Sequence, residues 1–140
     1  VREINKIVVH CSDSSFGDAG LIREWHLERG WKDIGYHFVI LNGCKRKGEF
    51  DADLDGIIQN GRDVSVVGAH VAGHNSKSIG ICLVGMDTYT EKQMLSLKIL
   101  LSELMVEYNL KPDAIFGHRE LFAGKTCPTG LDMEKLRKEL

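Results

Sequence analysis

Residues 78–85 read SIGICLVG. This stretch is a continuous apolar run of strand length with no charged residue in it, and it predicts a central strand. A helix pattern follows it. Thr90 with Gln93 makes a capping box, and Met94, Leu97, Leu101, Leu104, Met105 and Tyr108 fall on one face. Asn109 and Pro112 close that helix. A buried strand followed by an amphipathic helix is the unit from which sheets covered by helices are built.

Working outward, KIVVH at 6–10 predicts a second buried strand that ends on His10. Residues 11–20 are rich in Ser, Asp and Gly and read as a loop. Leu21, Ile22, Trp25 and Glu28 keep helical spacing, and Gly30 ends that helix. IGYHFVIL at 34–41 predicts a strand, and Asn42-Gly43 a hairpin-type turn after it. The pattern weakens from Lys45 to Val67. Lys45-Arg46-Lys47 reads as a solvated hairpin tip, and Gly61-Arg62-Asp63 as another turn. Ala114-Ile115-Phe116 predicts a short strand, and Met133, Leu136 and Leu140 a terminal helix. The expected fold is α/β, a single layer of sheet covered by helices, in one domain spanning residues 1–140.

Bulk properties narrow the function. With 140 residues and 43% hydrophobic content, a core can form without disulfide staples. A net charge of −2 argues against general nucleic-acid binding through phosphate neutralisation. No apolar run reaches bilayer-spanning length. Val1-Arg2-Glu3-Ile4 is not a signal peptide, so synthesis without an export signal is expected, with room for an upstream piece before Val1. Cys11, Cys44, Cys82 and Cys127 have no close pairing pattern. Cys11, Cys44 and Cys82 read as small buried hydrophobes, with Cys11 facing away from His10.

GKTCPTG at 124–130 is the stretch with the most chemistry. A phosphate-binding loop would need glycine five places before Gly124, where Arg119 stands. A metal site has a better physical basis. Pro128 pushes Cys127 toward extended backbone, so Lys125 and Cys127 would face one side with Thr126 turned away. Cysteine binds metal as the thiolate, and histidines would complete the set. Of the six, His10 ends a strand and His118 lies just past one, positions where functional groups gather in α/β folds. His26 lies mid-helix and reads as a satisfied side chain. His37 alternates with Tyr36 along a strand. His70 and His74 have H-x3-H spacing, but Gly68 and Gly73 oppose a helix there. A Cys-His hydrolase using Cys127 or Cys11 stays open at this point.

Five segments together point further. IVVHCSDS at 7–14, REWHLERGWKDIGYHFVI at 23–40, GAHVAGHNSKSIGICLVG at 68–85, GHRE at 117–120 and GKTCPTG at 124–130 resemble the zinc-dependent N-acetylmuramoyl-L-alanine amidases. The likeness is greatest to the phage lysozymes of the T-seven type, amidases despite their name and relatives of the peptidoglycan recognition proteins. It covers nearly the whole chain. The resemblance implies one Zn2+ per chain, held by His10, His118 and Cys127, with Tyr36 and Lys125 catalytic. It implies a central mixed sheet flanked by helices, with zinc in a surface cleft. His70 and Asn75, in GAHVAGHN, would line the substrate groove. The implied function is that of an endolysin hydrolysing the amide between N-acetylmuramic acid and L-alanine of the stem peptide. It would be monomeric, made in the host cytoplasm, and would reach peptidoglycan in the periplasm after membrane permeabilisation. Two alternatives accompany it: a non-catalytic peptidoglycan-binding protein, and a regulator of the phage RNA polymerase, which some phage members of the family bind.

Overall fold

Five strands form one sheet: β1 (Lys6–Cys11), β2 (Phe38–Arg46), β3 (Glu49–Asn60), β4 (Ser78–Leu83) and β5 (Ile115–Gly117). In the computed structural model, which describes residues 2–140, their spatial order is β3-β2-β4-β1-β5. The apolar run at 78–85 therefore supplies the middle strand. The reading of the chain's start at Val1 lies outside the described residues. β4 runs parallel to both neighbours, β1 pairs parallel with β5, and β2 pairs antiparallel with β3, so the sheet is mixed. All six residues of β4 are buried, as a strand covered on both faces requires.

The helices are α1 (Ala19–Glu28), α2 (Glu91–Tyr108), α3 (His118–Leu121) and α4 (Met133–Lys138). Residues alternate between two cores. Ile40, Ile79, Ile81 and Leu83 pack with Leu97, Leu101 and Leu104 of α2 on one face. Val39, Leu41, Cys82 and Val84 pack with Ile22 and Trp25 of α1 on the other. The capping box of α2 forms as expected: Gln93 N–H donates to Thr90 Oγ1 (3.0 Å) and Thr90 N–H to Gln93 Oε1 (2.9 Å). Gln93 is also buried, and its amide donates to the carbonyls of Ile40 and Val84, which pins the helix start to β2 and to the chain leaving β4. Thr90→Ala is expected to lower unfolding free energy by about 1 kcal/mol, read from the urea midpoint at unchanged slope.

The structure departs from the sequence reading at three places. α1 begins before Leu21 because Asp18 caps it, accepting from Leu21 N–H at 2.8 Å. The second strand begins at Phe38, not Ile34. The carbonyls of residues 35–37 bond to loops instead: Gly35 O accepts from Ala69, Tyr36 O from Arg62 and His37 O from Gly61. A Cβ at Gly35 would overlap the Ala69 carbonyl, so only glycine allows this approach. Finally, Asn42-Gly43 is not a turn. It lies inside β2, where the register with β3 jumps from Asn42↔Asp55 to Cys44↔Phe50. Gly43 takes φ +90° there and Asn42 Oδ1 accepts from Cys44 N–H, so the same local preferences build a bulge. The turn itself is Lys47-Gly48, and Lys45-Arg46-Lys47 are exposed at the hairpin tip.

Candidate active site

His10 is the penultimate residue of β1, and His118 opens α3 directly after β5. β1 and β5 are parallel neighbours with Val9 opposite Gly117, so both histidines emerge at the same end of adjacent strands. Cys127 comes from the loop between α3 and α4. The three side chains bring one donor atom each to within 4.8 Å of one another.

The GHRE segment builds this meeting point. Arg119 N–H donates to the Cys127 carbonyl at 2.8 Å, and its guanidinium donates to the carbonyls of Pro128 (2.7 Å) and Leu131. Glu120 accepts from Gly117 N–H and forms a two-pronged pair with Arg137 of α4 at 2.8 and 2.9 Å. One residue of the motif thus presents the imidazole, the next clamps the cysteine loop, and the third ties both to the terminal helix. Cys11 N–H donates to Cys127 Sγ at 3.1 Å. Cys11 is buried as expected, yet it does not turn away from the site, because β1 ends there and the cysteine loop folds over it. Cys44 is half-buried, Cys82 is buried, and all four thiols are free.

The electrostatics suit metal ligation. Burial, then His70 and His118, hold His10 well below the usual imidazole range. Burial, then Lys125, lowers His118. Both rings are therefore neutral near pH 7 and keep a lone pair. Hydrogen bonding between the two thiols pulls Cys11 down to about 5, whereas that contact and then burial push Cys127 up, so Cys127 would give up its proton only to a bound metal. Two neutral imidazoles and a thiolate are a donor set that tetrahedral metal sites use. Ligand atoms sharing one ion at ordinary bond lengths stand roughly 3.5 Å apart, close to the size of this cluster. His10, His118 and Cys127 thus form a candidate metal-binding triad.

A cleft of about 690 Å3 opens over the triad. Its rim includes Arg29, Trp31, Phe122 and Lys125, with the Arg29 guanidinium 5.8 Å from the Trp31 ring centre. The Tyr36 ring stands 5.1 Å from that of His10. Burial first, then the neighbouring thiols, hold its phenol well above the ordinary range, so the group is an O–H donor near pH 7. Behind it, buried His26 accepts from Gly35 N–H at 2.8 Å, the satisfied role expected of it, and fixes the backbone just before Tyr36. Lys125 is exposed beside Cys127. The expected extended segment is replaced by a curled loop. Gly124 takes φ +87°, the Cys127–Pro128 peptide is cis, and Thr126 and Thr129 hydroxyls meet at 3.0 Å. Thr126 therefore also lines the cleft and is not turned away.

His70 and Asn75 border the cleft, but their contacts are with the protein. Asn75 Oδ1 accepts from the N–H groups of His70 and Val71, both at 2.9 Å. His70 is buried, with Nδ1 2.9 Å from His10 Nε2 and Nε2 3.1 Å from Ser78 Oγ. His37 lies on the far side, its Nδ1 accepting from Gly80 N–H. Arg119 and Ser78 are the contributors that sequence reasoning missed. For Arg119 the available signal was its place directly after a candidate ligand.

The N-acetylmuramoyl-L-alanine amidase family profile matches residues 1–130 of the chain. The chain is 40% identical over 139 residues to the endolysin of Klebsiella phage KP32, covering 91% of this chain and 82% of that protein. It is 40% identical over 134 residues to the endolysin of Escherichia phage T7, covering 88% and 79%. Its fold is similar to that of the N-acetylmuramoyl-L-alanine amidase LysC from Clostridium intestinale URNW, with a TM-score of 0.84, 30% identity, and coverage of 99% of this chain and 85% of that one. No helix among the described residues is long and apolar enough to cross a membrane.

Proposed function

The chain belongs to the N-acetylmuramoyl-L-alanine amidase family and is a peptidoglycan amidase of the endolysin kind; from that premise we propose that it is zinc-dependent, with His10, His118 and Cys127 as ligands and Tyr36 and Lys125 as catalytic groups. The bond cut is the amide between the lactyl group of N-acetylmuramic acid and L-alanine. The observation that carries this reading is the convergence of the triad beneath a cleft that also presents Tyr36 and Lys125.

Zinc held by His10, His118 and Cys127 would supply Lewis-acid activation of the amide and, with one thiolate ligand, would keep a net positive charge. The protein's own groups do the rest. Lys125, exposed on the rim, offers a cation to the oxyanion that forms as the amide carbonyl is attacked. Tyr36 offers its O–H for a hydrogen bond or a proton at the reacting amide. The cleft volume is in the range that encloses a substrate of drug size, which suits a muramyl group joined to the first stem-peptide residues. The whole of residues 1–140 serves as the catalytic domain. Its place of action is the periplasmic wall, entered from the host cytoplasm once the membrane is breached.

The test counts new alanine amino termini released from purified peptidoglycan, with and without a chelator. Release is expected to stop with chelator and to return when zinc is added. Release that survives exhaustive chelation, or that only a thiol-alkylating reagent abolishes, would sink the zinc reading in favour of a cysteine nucleophile.

A further inference from the structure

We infer that His70 is a positioning residue for the metal centre: it fixes the tautomer of His10 and so decides which ring nitrogen of His10 faces the metal. The inference rests on the zinc reading above. His10 Nε2 and His70 Nδ1 are 2.9 Å apart, so one of them donates. If His70 donated from Nδ1, His10 would accept at Nε2, and as a neutral ring it would carry its proton on Nδ1. Neither nitrogen of His10 would then have a free lone pair. The reverse arrangement resolves this. His10 donates from Nε2–H, His70 accepts at Nδ1 and carries its own proton on Nε2, and that proton goes to Ser78 Oγ at 3.1 Å. His10 Nδ1 is left for the metal. A metal-bound imidazole whose second nitrogen donates to an acceptor is held in orientation and made more basic.

The setting of His70 is built for a fixed ring. It is 7% exposed, and Ser78 is fully buried. A Cβ at Gly80 would stand 2.6 Å from the His70 ring, and one at Gly68 2.8 Å from it. Two glycines thus flank a slot that only the bare backbone leaves open. Asn75 ties the backbone of His70 down from the loop side. His70 lines the cleft, and its two ring nitrogens are committed to His10 and Ser78.

The direct test needs no variant. In zinc-loaded protein with 15N-labelled histidine, long-range 1H–15N spectra are expected to place the protons of His10 and His70 on Nε2. A scalar coupling should appear between His10 Nε2 and His70 Nδ1. A His10 proton on Nδ1, with zinc at Nε2, would overturn this inference while leaving the zinc reading intact. A chain that takes up no zinc would overturn both. Variants give a second reading. His70→Leu is expected to weaken zinc binding by about 10–100-fold in chelator competition. His70→Asn, which returns an acceptor oxygen near the position of Nδ1, should recover most of that loss. Folded His70→Leu with wild-type zinc affinity, or an Asn variant no better than Leu, would contradict the assignment.

Discussion

Cys127→Ser is expected to lose zinc and amidase activity together while the fold survives. A serine hydroxyl stays protonated where a cysteine gives up its proton to a bound metal, so the variant offers two neutral imidazoles and no anionic ligand at position 127. Zinc affinity should fall by more than about 100-fold, beyond what loss of an outer hydrogen-bond partner costs. Hydrolysis should drop to background. The loop itself should hold its course, because Arg119 grips the main-chain carbonyls of Cys127, Pro128 and Leu131, and a serine oxygen can still accept from Cys11 N–H, which donates to the sulfur in the parent. Metal content after equilibrium dialysis, alanine release, and thermal unfolding of the metal-free proteins measure the three parts separately. A serine variant that kept full zinc and full activity would move the metal away from Cys127. One that lost activity but kept zinc at wild-type affinity would make the cysteine a reacting group.

The same loop marks the boundary of what the sequence discloses. SIGICLVG and the Thr90 helix were legible because each carries its signal locally, one as an unbroken apolar run and the other as a cap plus a 3.6-residue stripe. Asn42-Gly43 misled because its preference for positive φ serves a turn and a bulge equally; the choice is made by Phe50, packed where a Gly43 side chain would sit. The strand start failed for the same kind of reason, since the carbonyls of residues 35–37 answer to loops distant in the sequence. For the site, the spacing of His10, His118 and Cys127 along the chain carries no distance. They meet because β5 adds beside β1 and not beside β4, and no local pattern encodes strand order. The resemblance supplied the triad where periodicity could only nominate strand ends. Neither source supplied the clamp by Arg119 or the His10–His70–Ser78 chain, because both are contacts between segments that look ordinary separately.

Lys125→Ala is expected to keep zinc and lose turnover by about 10²–10³-fold, the equivalent of about 3 kcal/mol of barrier, with KM nearly unchanged. The separation follows from where the residue sits. Lys125 is exposed, and none of the ion pairs among the described residues includes it, so its removal leaves no buried charge and no cavity. Its action is on charge that appears only during reaction, which is why kcat and not substrate binding should change. Burial is the main cause of the lowered His118 pKa, and the Lys125 cation is the second. Removing that cation lets the His118 pKa rise toward its ordinary value. In the metal-free protein the His118 ring of the variant should therefore titrate at a higher pH than that of the parent, followed by its NMR shifts against pH. Lys125→Met, equally uncharged but closer in length, should reproduce both effects, whereas Lys125→Arg should keep His118 low and recover part of the rate. Hydrolysis by Lys125→Ala at the parental rate would remove this lysine from the mechanism, and the oxyanion would then have to be met from elsewhere on the rim.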